Sequence, residues 1–424
     1  MEYGLIGKKL SHSFSKDIHT KLNKFDYSLL EVSEDALDAF MTEHSFKAIN
    51  VTMPYKERVI KHLNYIDERA KEIGAVNTVV NRDGELFGYN TDFLGMKKML
   101  DKFGICLSGR KVAILGSGGT SKTACAVAKH LGAKEILKVT RDVSRHSADN
   151  GCTDGVSLIN YGTLYEKHLD VDIIINTTPV GMYPNAFDAP IDLSAFKNLS
   201  GVADCIYNPI STRLICQAKS LGINACGGLY MLVAQAVYAS AIFHDTEYPS
   251  EVFDTVYEEL LHTKENIALV GMPSCGKTTV GKALSKALGL QFIDTDEIIT
   301  AKAQMEIPKI FEENGEKYFR ALESEAIKEA SLLSGTVIAT GGGAVLNAEN
   351  IDALRLNGKI IFIDRPLEQL ICTSDRPLSS TKELLKKRFD ERAPLYKKYA
   401  DFIINGSGSV EDTVAAILDA LKRN

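Results

Sequence analysis

Tryptophan is absent, and the eight cysteines, at 106, 125, 152, 205, 216, 226, 275 and 372, form no C-x-x-C pair and no zinc-like His/Cys spacing. Such scatter excludes a disulfide framework or a structural zinc cluster and predicts free, mostly buried thiols in a reducing compartment. Long blocks of Lys and Arg are missing too, and the net charge is -6, so neither nucleic acid nor an anionic membrane is an expected partner. The short basic runs KELLKKR and YKKYA read as solvated helix faces. No apolar run reaches the length of a membrane helix, and MEYGLIGKKLSHSF lacks the charged and apolar regions of a signal peptide. A cytoplasmic protein is expected.

The chain has 424 residues, 45% hydrophobic and 25% charged, which suits two or three soluble domains. Apolar strand patterns alternate with helical periodicity, first in EYGLIG, YSLLEV and AINVTM, and VVNRDGELFGY reads as a hairpin turning at Asp83-Gly84. From Lys111, KVAILG, EILKVT, VDIIINTT and GVADCIY give four strands of a Rossmann-like domain. Helical patterns follow in LYMLVAQAVYASAIFH and from Ser250 to His262, and the polar stretch HTKEN at 262–266 reads as a linker. IALVG, QFID, TVIATGGG, KIIFID and DFIIN then supply five strands. The expectation is an α/β protein. An α/β domain spans 1–105 with returning helices at 230–262, a Rossmann-like domain spans 106–229, and a P-loop, nucleotide-kinase-like domain with a five-stranded parallel sheet spans 264–424.

In IALVGMPSCGKTTVG, Gly271 is separated by four residues from Gly276-Lys277-Thr278, the spacing of a triphosphate loop. Backbone N–H groups of such a loop point at the anion, the helix start adds partial positive charge, and the lysine balances the outer phosphates. Gly271, Met272, Pro273, Ser274, Cys275, Gly276, Lys277, Thr278 and Thr279 are therefore the expected ATP cradle. Asp294 and Asp296 lie two apart at a strand end; one would help Thr278 hold Mg²⁺ while the other takes a hydroxyl proton. A D-x-D alone also serves as a helix cap. FEENGEKYFRALE with Arg320 and Glu323, TGGG at 340–343, Arg376-Pro377-Leu378 and Arg392-Ala393-Pro394-Leu395-Tyr396 follow in order.

Together these segments resemble shikimate kinase over about residues 264–424. The resemblance implies Asp296 as base and hydroxyl ligand, Asp294 with Thr278 on Mg²⁺, and Lys277 and Arg376 on the ATP phosphates. It also implies Arg320 and Arg392 on the substrate carboxylate, with Gly342 and Gly343 lining the ring. Ser274 stands where many members have a third loop glycine, and Ser379 where leucine is common.

A second glycine turn, KVAILGSGGTSKTA, places Gly116, Gly118 and Gly119, then Thr120 and Ser121, between a strand and a helix. That is a weak dinucleotide signal taken alone. Arg141 and Arg145 after the next strand favour the 2′-phosphate of NADP, whereas Asp142 leaves NAD open. LSHSFSKDIH, NVTMPYKE, GAVNTVV, GYNTDFLG, NTTPVGMYP, DCIYNP and GGLYMLVAQA resemble shikimate dehydrogenase over about residues 1–260. The resemblance implies Ser13 and Ser15 on the substrate carboxylate, and Thr52, Asn77, Asp92 and Gln235 on its hydroxyls. Lys56 would be the acid–base group, with Asp92 keeping it charged, and Tyr207 and Gly228 would lie near the nicotinamide. Lys8, Lys9 and Lys16 replace prolines often seen around the first segment.

The two resemblances imply NADPH-dependent reduction of 3-dehydroshikimate to shikimate, then phosphorylation of shikimate by ATP. A quinate dehydrogenase joined to another small-metabolite kinase, a dehydrogenase carrying an inactive ATP-sensing module, and a binding scaffold are the alternatives. Thr52, Asn77 and Asp92 argue against the first, and the retained Lys277, Thr278, Asp294 and Asp296 against the second. Two complete acid–base sets have no use in the third. No feature indicates a homo-oligomer, and none excludes one.

Overall fold

A computed structural model describes residues 1–10, 13–22, 25–144, 155–370 and 381–422, and the chain divides into two compact units, Met1–Leu260 and Leu261–Asn424. No helix among the described residues is long and apolar enough to cross a membrane. The six described cysteines are free, and all but Cys106 are buried or half-buried.

The first unit holds two six-stranded sheets. One contains β1 (Tyr3–Gly7), β2 (Tyr27–Glu31), β3 (Ala48–Val51), β4 (Tyr65–Ile66), β5 (Thr78–Arg82) and β6 (Glu85–Tyr89), in the order β2-β1-β3-β5-β6-β4. β1 pairs parallel with β2 and β3, while β5 runs antiparallel to β3 and β6. The β5–β6 hairpin turns at Asp83 (φ 52°) and Gly84 (φ 91°). Positive φ at both central residues matches the right-handed twist of the strands, and Asn81 Oδ1 accepts from the Gly84 N–H at 2.9 Å.

The second sheet contains β7 (Lys111–Leu115), β8 (Glu135–Thr140), β9 (Val156–Asn160), β10 (Ile173–Asn176), β11 (Gly201–Asp204) and β12 (Asn224–Cys226), all parallel. Its order, β9-β8-β7-β10-β11-β12, is that of the doubly wound dinucleotide fold, with a crevice where the order reverses between β7 and β10. Four of these strands were expected. β9 escapes the pattern because only Val156 in it is buried, and β12 because it has three residues.

The helix Leu229–His244 is buried along most of its length, and its Ala239 and Phe243 share a core cluster with Leu5, Tyr27 and Ala48 of the first sheet. It also packs along the helix Thr91–Lys102. The two backbones meet at Gly95, where an added Cβ would lie 2.8 Å from Met231 O and 2.9 Å from Gln235 Cβ.

In the second unit, β13 (Asn266–Val270), β14 (Gln291–Asp294), β15 (Thr336–Ala339), β16 (Gly358–Asp364) and β17 (Phe402–Asn405) form one parallel sheet in the order β14-β15-β13-β16-β17. The stretch 262–266, expected to be a linker, has regular secondary structure over most of its length. The helix Ser250–Lys264 occupies most of it and β13 begins at Asn266. Gly335 N–H donates to Lys264 O at 2.9 Å. The buried Asn266 amide donates to Leu333 O at 2.6 Å and accepts from Thr336 N–H at 2.9 Å. Its polar side chain is consumed by backbone groups rather than by water.

Gly95→Val should push the two helices apart. Overpacking of this kind costs about 1–3 kcal/mol, to be read as a lower urea midpoint for the first unit; an unchanged midpoint would contradict the close approach.

Candidate functional site

In the first unit the chain leaving β3 carries Lys56, whose carbonyl accepts from Val76 N–H at 2.8 Å. Asp92 lies in the first turn of the helix Thr91–Lys102, where a negative charge is favoured. Lys56 Nζ donates to Asp92 Oδ2 at 2.6 Å, with the two side chains 19% and 11% exposed. Asn77 is buried. Its Oδ1 accepts from Thr91 N–H at 2.8 Å and its Nδ2 donates to Thr91 Oγ1 at 3.0 Å, so it anchors the start of the helix that presents Asp92. Ser13 Oγ lies 3.1 Å from Ser15 Oγ and also accepts from Ser15 N–H, which brings the two hydroxyls together. Between them in sequence, the Phe14 ring packs 5.3 Å from the Tyr207 ring. Gln235 Nε2 donates to Leu232 O at 2.8 Å within its own helix, and Thr52 is half-buried beyond β3. Neither shares a hydrogen bond with the Lys56–Asp92 pair or the serines among the described residues.

The turn after β7 is set by Gly116 (φ 118°), where a Cβ would lie 2.6 Å from Thr177 Oγ1. Gly118 caps and Gly119 opens the helix Gly119–His130, and a Cβ on either would meet nothing within 4 Å. That open space before a helix N-terminus suits the pyrophosphate of a dinucleotide. Thr120 is half-buried beside it. Ser121 is fully buried and donates to Gly116 O at 2.9 Å, so its hydroxyl braces the turn and does not face the open space. Gly228 packs backbone against backbone, with a Cβ position 2.3 Å from Cys205 O. Past β8, Arg141 is exposed, while Asp142 Oδ1 accepts from Ser144 N–H at 2.9 Å and Ser144 Oγ at 2.5 Å. Arg145 lies outside the described residues.

The second unit contains a cavity of about 620 Å³ bordered by the P-loop, the D-x-D, the triple glycine and three arginines. Gly276 (φ 99°) opens the helix Lys277–Leu288, and Ser274 is held at φ 63°, a conformation glycine adopts without steric cost. Lys277 Nζ donates to Gly271 O at 3.0 Å and Met272 O at 2.9 Å. Thr278 Oγ1 donates to Asp294 Oδ2 at 2.7 Å, while Asp294 Oδ1 caps the helix Thr295–Ala303 by accepting from Asp296 N–H at 3.0 Å. Asp294 therefore serves both as cap and as a carboxylate beside Thr278. The Thr278–Asp294 oxygens fit magnesium, which takes one or two carboxylates and otherwise phosphate and water. No cluster of three or more His, Cys, Asp or Glu ligands occurs among the described residues.

Arg320 Nη1 donates to Glu323 Oε2 at 2.7 Å and Nη2 to Glu316 Oε1 at 3.0 Å. A Cβ at Gly343 would fall 1.9 Å from Arg320 Nη1, so the guanidinium lies flat on the glycine turn. Burial raises the Glu323 carboxyl, and Arg320 and Arg392 pull it the other way. Arg392 is 3% exposed. Its Nη1 donates to Gly342 O at 3.1 Å, which also accepts from the Tyr396 hydroxyl, but its Nε and Nη2 are buried without a hydrogen-bond partner. An unpaired buried charged donor costs several kcal/mol. An anion entering the cavity would remove that cost. Arg376 lies outside the described residues.

Residues 5–79 match the family model for the shikimate dehydrogenase substrate binding domain, and residues 273–422 match the family model for shikimate kinase. A shikimate dehydrogenase (NADP(+)) from Clostridium beijerinckii is 37% identical over 265 residues, covering 60% of this chain and 96% of the relative. The chain belongs to the shikimate dehydrogenase family, with a shikimate kinase domain following. The crystal structure of shikimate dehydrogenase 1 from Peptoclostridium difficile is 38% identical, covers 61% of this chain and 98% of its own, and superposes with a TM-score of 0.57. That of the Thermus thermophilus enzyme in complex with NADP(H) and shikimate is 25% identical, covers 61% and 99%, and gives 0.54.

Within the shikimate dehydrogenase unit, sequence reasoning missed Asp204. It ends β11, is fully buried, and accepts from Asn176 Nδ2 at 3.0 Å, Ile206 N–H at 3.0 Å and Thr212 Oγ1 at 2.6 Å. Asn176 Oδ1 in turn accepts from Thr178 N–H and Oγ1. One carboxylate thus ties the loops after β10 and β11, beside the crevice of the sheet. An Asp between GVA and CIY gave no signal, because Asn176 is remote in sequence and nothing local marks Ile206 N–H and Thr212 as its other partners. In the shikimate kinase unit, Arg388 was read within KELLKKR as part of a solvated face. Lys386 and Lys387 are exposed, but Arg388 is half-buried and borders the cavity.

Burial raises the Asp204 carboxyl from its ordinary 3.8 to about 6. A folded value above the unfolded one means stability is full below about pH 4 and is lost as pH rises through about 6. Asp204→Asn removes this titration. Urea unfolding should find the wild type losing about 3 kcal/mol relative to the variant between about pH 4 and about pH 8, and a constant difference would refute the charged, buried carboxyl.

Proposed function

We propose that the first unit reduces 3-dehydroshikimate at Lys56 and Asp92 with NADPH, and that the second phosphorylates shikimate with Mg·ATP at Asp296, Lys277 and the arginine pair. The product of the first reaction is the acceptor of the second, two consecutive steps of aromatic amino-acid biosynthesis. The observation that carries this reading is that each unit holds both an acid–base group and an anion cradle. Lys56 sits at 2.6 Å from Asp92 in the unit with the open glycine turn, and Asp296 borders the cavity that the unsatisfied Arg392 faces. A cytoplasmic location accords with the free cysteines.

NADPH, when bound, supplies the hydride. Lys56 donates a proton from Nζ to the ketone oxygen as negative charge builds there, and Asp92 aims the ammonium group. In the reverse direction Lys56 takes the hydroxyl proton. Ser13 and Ser15 bind the carboxylate, and Thr52, Asn77 and Gln235 contribute along the ring hydroxyls, Asn77 chiefly by fixing the Asp92 helix. Arg141 binds the 2′-phosphate, while Asp142 Oδ1 is engaged by Ser144.

Mg·ATP supplies the phosphoryl group. Thr278 and Asp294 would hold the metal, Lys277 and the loop amides neutralise the phosphates, and Asp296 accepts the proton of the attacking hydroxyl. Arg320 and Arg392 bind the ring carboxylate by charge-assisted hydrogen bonds.

With 3-dehydroshikimate, NADPH and Mg·ATP in one assay, Lys56→Ala should slow reduction roughly 10²–10⁴-fold while added shikimate is still phosphorylated. Lys277→Ala should do the reverse. Equal loss of both activities in either variant would contradict two separate sites. Arg141→Ala is expected to raise KM for NADPH about tenfold and to leave NADH nearly unaffected; equal effects on the two cofactors would remove Arg141 from the phosphate.

A further inference from the structure

The cavity of the second unit is bordered by Lys277 and three arginines on one hand and by Asp294, Asp296, Glu306 and Glu323 on the other, so a third arginine stands there beyond the two already assigned. Arg320 is compensated by Glu323 and Glu316. Arg392 hydrogen-bonds only a neutral carbonyl, through Nη1, and its Nε and Nη2 are buried and unpartnered; Glu323 acts on it through space while hydrogen-bonding Arg320. Arg388 stands one turn earlier on the helix Lys382–Tyr399. The i, i+4 spacing puts both guanidinium groups on one helix face, and both border the same cavity. Burial and the charges of Arg392 and Arg320 lower the Arg388 pKa, opposed by Glu316 and Glu391. A cation drawn partly out of water beside two others gains from any anion that enters.

We propose that Arg388 is a specificity-determining residue of the kinase site, favouring an acceptor with a free carboxylate over the same ring with that group neutralised. The proposal rests on the reading in which Arg320 and Arg392 hold the carboxylate. No direct hydrogen bond from Arg388 is needed. At the effective dielectric of a protein cleft, one further charge within several Å is worth about tenfold in affinity, and the uncharged analogue gains nothing from it.

The test uses the full chain with Mg·ATP and two acceptors, shikimate and its methyl ester, the ester being read as an inhibition constant if turnover is slow. Arg388→Gln is expected to raise KM for shikimate about tenfold with kcat within about twofold, and to leave the ester constant where it was. Arg388→Lys should restore most of the discrimination. A parallel rise for acid and ester would make Arg388 a packing residue, a fall in kcat at constant KM would make it a phosphate contact, and no change would return it to the solvated face. Each of these overturns the proposal. Arg392→Gln isolates the underlying reading: if KM for shikimate stays unchanged there, the carboxylate is not held by Arg392, whatever Arg388 does.

Discussion

A parallel sheet gathers the carboxyl ends of its strands, and the amino ends of the helices that follow, along one edge, where backbone N–H groups without intrahelical partners attract negative charge. Most of the chemistry of this chain grows from such edges. Lys56 follows β3, Gly116 follows β7, Asp204 closes β11, Gly271 follows β13 and Asp294 closes β14. Even in the mixed first sheet, Asp92 sits in the opening turn of the helix after β6. Glycine turns at these points serve the same constraint, since a side chain at Gly116 or Gly343 would occupy the approach of Thr177 or Arg320.

Positive charge is distributed unevenly around those edges, and the imbalance bears on function. Lys277 is enclosed by the carbonyls of its own loop and Arg320 by two glutamates. Arg392 keeps two buried donors without partners. A folded chain tolerates such a group only where packing elsewhere outweighs it, and the stacked Phe362 and Tyr396 rings beneath it belong to that support. In the first unit the balance is local and neutral: Lys56 is matched by Asp92, and Asp92 is aimed by a helix that Asn77 pins at one end and Gly95 lets dock against Leu229–His244.

Much of the architecture is legible in the chain because it depends on neighbours in sequence. The alternation of apolar strands and helices, the Asp83-Gly84 hairpin and the five strands of the second unit all follow from local backbone preference and periodicity. Edge strands with little burial, such as β9 and β12, carry no such pattern. HTKEN looks like a linker because polarity alone does not reveal that the Asn266 amide meets Leu333 and Thr336, some seventy residues later.

Residue spacing by itself determined the two glycine turns, the strand-end aspartates and the arginine-bearing helices, since each follows from which side chain can occupy a given backbone position. Tertiary structure alone decided where those side chains spend their hydrogen bonds. It turned Ser121 inward to brace its own turn, joined Asp204 to Asn176 of another strand as well as to its near neighbours Ile206 and Thr212, and rotated Arg388 toward the cavity while Lys386 and Lys387 face water. The orientation of a helix about its axis comes from what packs on its apolar face, and that neighbour lies elsewhere in the chain.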